Sequence, residues 1–456
     1  MWQPRGRSVL TGLLTLIGCM PGCQPRPQPV GVPFPAVFQW GAASAAHQVE
    51  GGNTTNDWWL HEQQPGTIAH GDRSGEAVDH YHQFDRDFAE AAAMGHTAHR
   101  LSIEWSRIEP TQGHYDEAAW RHYDAVFASL ARHHLRPMVT LWHFTNPQWT
   151  MAQGGWLNPR TGAAWVTFVE AVVARYQGQV RDWITLNEPN VYGFHAYDIG
   201  LWPPRHKNRD EAITAIINLL KAHGQASRAI HRLDPTARVG IANHIALFAP
   251  QNRWNPLDHL KAYLVDNLFN RMPIEAQVTG RIRVWAPGVT SRDETVPELA
   301  GSVDFIGLNY YTRWRQSVFD SSDQLVTAGA PVNDLGWEYY PEGLHEALLT
   351  LRPYHLPVVV TENGTADRSD RQRSALLTAT FQGLRAAMAD GIDLRGYYHW
   401  SLLDNFEWAD GFRPAFGLMH VDRAALGMPR TWRPSAYLYR DLIRAARPAG
   451  DVAVGP

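Results

Sequence analysis

The chain has 456 residues, with 41 Lys and Arg against 45 Asp and Glu and a formal net charge of −4. That balance sets up no strong field toward nucleic acid or an anionic membrane, and 44% apolar with 19% charged residues excludes a disordered chain. Two Cys exclude a disulfide framework and a Cys-rich zinc site, while 19 Trp are more than packing usually requires and suit a cleft that binds flat apolar faces.

Residues 1–35 differ from the rest. Arg5 and Arg7 precede a short apolar run at 9–18, Cys19 follows, and a Pro-rich stretch ends at Pro35. A positive start and an apolar core of about ten residues fit a secretory signal and fall short of a membrane-spanning helix. Leu16-Ile17-Gly18-Cys19 also resembles a bacterial lipoprotein cleavage box, in which Cys19 would carry the lipid. The competing reading is a non-native extension or a misplaced start, with Met20 as the true start of a cytoplasmic protein. A lipid on Cys19 is the one membrane link expected, since no run of 18 or more apolar residues lies elsewhere.

From residue 36 onward, short apolar β-rich runs alternate with helical patterns. Strands are predicted at 37–43, 98–105, 137–143, 181–188, 238–244, 303–311, 357–363 and 394–401. Helices are predicted at 77–94, 117–134, 163–177, 210–233 and 371–390. In the first helix Tyr81, Phe84, Phe88 and Ala92 recur at three- and four-residue steps, and Gly95 sits where it would stop. Eight β–α alternations predict parallel strands with crossover helices, closed into a single (β/α)8 TIM barrel over 36–446. Residues 447–456 are left as a tail, with no second domain and no internal repeat.

In such a barrel the chemistry lies where strands end and loops begin. Polar and aromatic residues gather at those places: His47, Gln48 and Glu50 after the first strand, Arg100, Glu104 and Trp105 on the second, Trp142 and His143 on the third. Asn187 and Glu188 follow on the fourth, Asn309, Tyr310 and Tyr311 on the sixth, and Glu362 and Asn363 on the seventh. The eighth passes through Trp400 toward Asp404, Asn405, Glu407 and Trp408. A charged residue in a strand needs a partner or a function. Glu188 and Glu362 are the pair that suits glycoside hydrolysis, where one carboxyl gives a proton to the leaving oxygen and the other attacks the anomeric carbon. Taken singly, each is equally well explained as a helix cap or an Arg partner.

Six ordered motifs make the pair specific. Thr185-Leu186-Asn187-Glu188-Pro189 resembles the acid/base motif of glycoside hydrolase family 1, the β-glucosidase family, and Val360-Thr361-Glu362-Asn363-Gly364 its nucleophile motif. Phe38-Gln39-Trp40-Gly41-Ala42-Ala43-Ser44 with Gln48 and Glu50-Gly51 is similar to its opening segment, and His99-Arg100-Leu101-Ser102-Ile103-Glu104-Trp105 to its second-strand motif. Gly307-Leu308-Asn309-Tyr310-Tyr311 and Trp400-Ser401-Leu402-Leu403-Asp404-Asn405-Phe406-Glu407-Trp408 complete a series that runs from about Phe34 to Tyr439.

The resemblance implies a retaining β-glycosidase acting on a small-molecule β-glycoside, with no cofactor, no metal and no nucleic acid. Glu362 would be the nucleophile and Glu188 the acid, then the base. Arg100 and Tyr311 would hold the nucleophile, with Asn309 in support. Asn187, Gln48, His143, Glu407 and Trp408 would bind sugar hydroxyls, and Trp400 would lie under the ring. Trp337 and Trp314 would face the leaving group, with Trp156 and Phe194 as further candidates. A raised pKa is expected for Glu188 and a lowered one for Glu362 beside Arg100.

Departures are informative. Phe144 follows His143 where the family commonly has Trp, and His47 precedes Gln48 where Tyr is usual. Relatives that act on 6-phosphorylated sugars carry Ser near position 407; Glu407 would repel a phosphate, so an unphosphorylated glycone is expected. Glu188 is not Gln, which implies a hydrolase and not a thioglucosidase. Arg313 and Arg315 beside Trp314 suggest either an anionic leaving group or an exposed loop pair. The 22 His contain no His-Glu-x-x-His pattern, and neither a Gly-x-Ser-x-Gly elbow nor a phosphate loop is present. Two other functions stay open: a transglycosylase passing the sugar to an alcohol or lipid, and a non-catalytic carbohydrate-binding protein. Glucose, galactose and fucose are not separable on sequence, and nor is the oligomeric state.

Overall fold

The computed structural model describes residues 32–447 except 321, 323 and 324. Cys19 with its signal-like segment up to residue 31, and the tail from 448, lie outside the described residues.

Eight parallel strands form a closed barrel, each paired to the next in sequence and the last to the first. They are β1 Gln39–Ala43, β2 Ala98–Ser102, β3 Arg136–Thr140, β4 Asp182–Asn187, β5 Arg238–His244, β6 Ile306–Tyr310, β7 Val358–Asn363 and β8 Leu394–Trp400. One main helix follows each: α1 His80–Ala93, α2 Glu117–Arg132, α3 Pro159–Tyr176, α4 Arg209–Leu233, α5 Pro256–Asp266, α6 Gly343–Leu351, α7 Arg371–Ala389 and α8 Pro434–Ala446. All eight predicted strands are present. Several stop short of prediction because the chain leaves the barrel wall early; β2 ends at Ser102 and Trp105–Ile108 is already a helical turn.

Local chemistry starts the helices. Asp116 accepts from the amides of Ala118 and Ala119 at α2, and Asn208 from Asp210 and Glu211 at α4. Asn158 caps α3, and Pro159 begins it where a missing N–H costs nothing. Gly95, with φ of 81°, stops α1 as predicted. The buried face of α1 is shifted from the expected stripe: His80, Asp87, Phe88 and Ala91 point inward. The reason is polar. Asp87 pairs with His80 at 2.8 Å and with Arg430 at 2.8 Å, while Tyr81 is half-buried and stacks on His122 of α2. A buried ion pair with both partners in place avoids the penalty of an orphaned charge.

The space inside the barrel is filled by side chains, including Ala43, Ala98, Met138, Ile184, Ala242 and Val359, as a closed eight-stranded barrel requires. At its N-terminal end Asp182 accepts from Gln39 at 2.8 Å and Arg238 at 2.6 Å. Phe34 is buried and stands edge-on to Trp40, with ring centres 4.8 Å apart.

Candidate active site

A cavity of about 500 Å3 opens beyond the C-terminal ends of the strands. His143 follows β3; Asn187 ends β4 and Glu188 comes next; Tyr311 follows β6; Glu362 is in β7 and Trp400 ends β8; Glu407 and Trp408 lie on the loop beyond. All of them line the cavity. Barrel closure thus brings together residues spread over most of the sequence.

Glu362 is gripped on both oxygens. Arg100 Nη1 donates to Oε1, and Tyr311 Oη donates to Oε2 at 2.6 Å. Arg100 lies behind the cavity wall and is only 1% exposed. Its other N–H groups reach Asn187 Oδ1 at 2.7 Å, Thr140 Oγ1 at 3.1 Å and the Thr361 carbonyl at 3.1 Å. A guanidinium satisfied at each edge holds a fixed orientation.

Glu188 has φ of 43°, a left-handed conformation unusual for a side chain of its size. Such strain persists where neighbours over-determine it. Asn309 Nδ2 donates to its Oε1 at 2.8 Å, and His244 Nδ1 meets the same oxygen at 2.9 Å. Asn309 in turn accepts from Thr361 Oγ1 at 2.6 Å, next to Glu362. Two links therefore join the carboxyls: Asn309 with Thr361, and Arg100 with Asn187.

The expected pKa directions are reversed. Burial pushes Glu362 up to about 7, and the charge of Glu188 adds to it, against the opposing pull of Arg100 and Tyr311. Burial pushes Glu188 up as well, but His244, Asn309 and Arg100 together outweigh it and hold the carboxyl below its usual value. His244 was not singled out from sequence. Its position, the last residue of a strand, is the same signal that marks the other site residues. Glu407 is raised well above the carboxylate range by burial and by Asp410, Glu362 and Glu188.

Beside the carboxyls, Asn187 Nδ2 meets His143 Nε2 at 3.1 Å. His143 is kept neutral by burial and by Arg100, and its ring is near-parallel to Trp400 and Trp408, 5.9 and 6.0 Å away. Gln48 does not line the cavity. Its amide donates to the Phe406 carbonyl, Asn405 and, at 3.3 Å, Glu407. Gln48 Oε1 and His143 Nδ1 are buried without a partner among the described residues. Buried polar atoms nearly always have one, so both suit a ligand hydroxyl. Phe144 has φ of 71° and packs against Trp202 and Trp408, with ring centres 4.8 and 5.2 Å away, so Trp202 fills space beside the smaller ring. His47 lies near-parallel to Trp408 at 5.9 Å and is pushed down to about 3, chiefly by burial.

Toward the mouth, Trp337, Trp314 and Phe194 line the cavity. Trp156 does not: it is fully buried, and its indole N–H donates to Asn146 at 2.8 Å. Arg313 is held by Glu338 at 2.6 Å and Arg315 Nε donates to Thr327 at 2.8 Å, and neither side chain lines the cavity. Glu50 pairs with Arg107 and Glu104 accepts from Ser106 and Thr145, structural roles away from the cavity.

The sequence pattern described as Glycosyl hydrolase family 1 matches residues 31–448. A β-galactosidase of Pyrococcus woesei is 32% identical, over 85% of this chain and 93% of its own. β-Glucosidase A of Acetivibrio thermocellus is 31% identical, over 91% of this chain and 98% of its own. The solved structure of a β-glycosidase from Pyrococcus horikoshii superposes with a TM-score of 0.84 at 34% identity, covering 91% of this chain and 96% of that one. Barrel, carboxyl pair and relatives agree: the chain belongs to glycosyl hydrolase family 1.

Proposed function

We propose that the protein is a retaining β-glycosidase that removes a terminal, unphosphorylated β-D-glycosyl unit, with glucose as the first glycone to test and galactose or fucose as alternatives. The observation that carries the reading is the pair of buried carboxyls in one cavity, held by different partners. Glu362, ionised against Arg100 and Tyr311, attacks the anomeric carbon. The bond to the leaving oxygen breaks as Glu188 gives that oxygen its proton, and a glycosyl ester on Glu362 results. Water then attacks the same carbon while Glu188 takes its proton. The ester bond breaks, the sugar leaves, and both carboxyls return to their starting states.

The proton must sit on Glu188 at the first step. Across the 2.9 Å contact His244 favours the ionised carboxylate of Glu188, the form that takes a proton from water in the second step. In this reading Asn187 bonds the sugar 2-hydroxyl, where contacts strengthen in the transition state. In the same reading His143, Glu407 and Trp408 bind the remaining hydroxyls and Trp400 lies under the ring, while the partnerless Oε1 of Gln48, behind the cavity lining, supports a role for it as well. Among the described residues five carboxyls line the cavity, Glu188, Asp198, Glu362, Glu407 and Asp410, and Arg100 is already committed to Glu362 and Asn187. A phosphorylated sugar would find repulsion there. Relatives named β-glucosidase and β-galactosidase support the substrate class. The family relationship supports hydrolysis; transfer to an alcohol shares the intermediate and differs in its acceptor.

The test is hydrolysis of aryl β-glycosides by the wild type, Glu362→Ala and Glu188→Ala. Glu362→Ala should lose several powers of ten on every substrate. Glu188→Ala should lose about 10²–10⁴-fold on alkyl glycosides and far less on dinitrophenyl glycosides, whose leaving group needs no proton. The first product observed by NMR should be the β-anomer. An α-product, or a Glu362→Ala enzyme at wild-type rate, would overturn the assignment.

A further inference from the structure

The cavity has two unlike sides. Opposite the sugar-binding groups, an apolar wall begins at His244: Phe269 stands edge-on to it with ring centres 5.9 Å apart, and Phe248 stands edge-on to Phe269 at 5.6 Å. It continues to α5, to the antiparallel hairpin Arg281–Ala286 with Thr290–Thr295, and to the segment beyond Gln316. At the mouth Leu257, Leu260, Trp285 and Val318 line the cavity and yet are 43–64% exposed.

The polar groups on this side are largely committed to the protein. Arg209 pairs with Asp198 at 2.8 Å. Lys261 donates to the carbonyls of Ser317 and Asp320. The amide of Asn190 donates to the carbonyls of His244 and Phe269, leaving one open acceptor, Oδ1. A second sugar unit would bring several hydroxyls against hydrocarbon, and an unpaired buried hydroxyl costs more than its contacts return. Clustered exposed apolar side chains at a cavity mouth mark a binding surface. The wall is continuous with the carboxyls, and the leaving group occupies the side away from the sugar pocket, so its occupant is the substrate's own leaving group.

We propose that this leaving group is a long-chain apolar alcohol, so that the substrates are amphiphilic β-glycosides, a sugar head on a hydrocarbon chain. The inference rests on the β-glycosidase reading above. It accounts for a mouth that stays apolar out to solvent, where a chain longer than the cavity would emerge.

The test is a series of methyl, hexyl, octyl and dodecyl β-D-glucosides and galactosides below their micelle concentrations, with cellobiose for comparison. kcat/KM should climb by up to about fourfold per methylene until the chain reaches the mouth, mainly through KM. Cellobiose should be the poorest substrate. Leu260→Asp should flatten the slope, lowering the dodecyl-to-methyl ratio at least tenfold. A flat or falling series in an enzyme that cleaves methyl or aryl glycosides overturns this inference and spares the activity. Failure to cleave any β-glycoside, aryl ones included, overturns the activity itself. If Leu260→Asp instead separates a dimer and leaves the ratio unchanged, the patch joins two copies of the chain and the proposal falls.

Discussion

Two groups meet Glu188 Oε1 from neighbouring paired strands, Asn309 from β6 and His244 from β5, and only the imidazole can carry a charge. His244 lowers the Glu188 pKa by its charge and its hydrogen bond. Replacing it with Phe removes both, so the Glu188 pKa must rise. The basic limb of kcat/KM reports the acid that must stay protonated, and it should move to higher pH in His244→Phe. The acidic limb follows Glu362, which His244 does not touch, and should move less. A basic limb that stays in place would mean that His244 has no hold on the proton. His244→Asn, which keeps a donor without the charge, should fall between the two. The carboxyls, Arg100, Tyr311 and Asn187 were legible in the sequence because each interrupts an apolar strand and lies within a motif. His244 escaped because its strand carries no such motif. The pKa order escaped for a related reason: it depends on which partner reaches which oxygen, and only the fold sets that.

At the scale of elements, the ends of β7 and β8 leave no room for a side chain at Gly364. A Cβ there would lie 2.0 Å from the Trp400 carbonyl oxygen. The obstacle is backbone, which cannot turn aside as a side-chain tip would. Gly364→Ala must therefore push apart two strand ends, one carrying Glu362 and the other Trp400. Overpacking of this kind costs about 1–3 kcal/mol. Urea unfolding should show that loss, and kcat should fall at least tenfold on every glycoside, because nucleophile and ring platform move relative to each other. Unchanged kcat would show that the strand ends are more pliable than their spacing implies. The strands themselves were readable as apolar runs bounded by turns. The connection from β5 to β6 was not. Its hairpin alternates exposed and buried residues over only six positions, and α5 leaves Leu257, Leu260 and Tyr263 in solvent. An element whose apolar face packs on no core gives no helical stripe, and in this region that face borders the cavity.

Across the whole molecule the β–α rhythm was enough to predict a closed barrel, since eight parallel units with buried strands have few other ways to cover both faces. Composition did not reveal how many histidines the fold would bury. His47, His96 and His223 are pushed down to about 3, in each case chiefly by burial. His61, His122 and His195 are pushed down to about 4. His99, His143 and His399 are also held well below their ordinary value. Each stays neutral in the folded chain but takes a proton in the unfolded chain below about pH 6.5. Stability from this source is therefore complete above that pH and is lost as pH falls toward 4. Every such histidine contributes a slope of about 1.4 kcal/mol per pH unit. Asp57 and Glu362, raised to about 7, act in the opposite sense, because the folded chain binds their protons first. Glu62, Glu104, Glu407 and Asp410 are raised as well and add to that opposition. The nine histidines outnumber these six carboxyls, so on balance stability falls as pH drops from roughly 6 to 4.5. Urea midpoints measured from pH 7.5 down to 4.5 should hold steady at first and then fall steeply. A midpoint that stays level to pH 4.5 would mean that the buried histidines accept protons in the folded state. His223→Gln should shrink the slope by about one proton, because Thr185 and Ser302 at 2.7 and 2.9 Å can bond an amide that does not titrate.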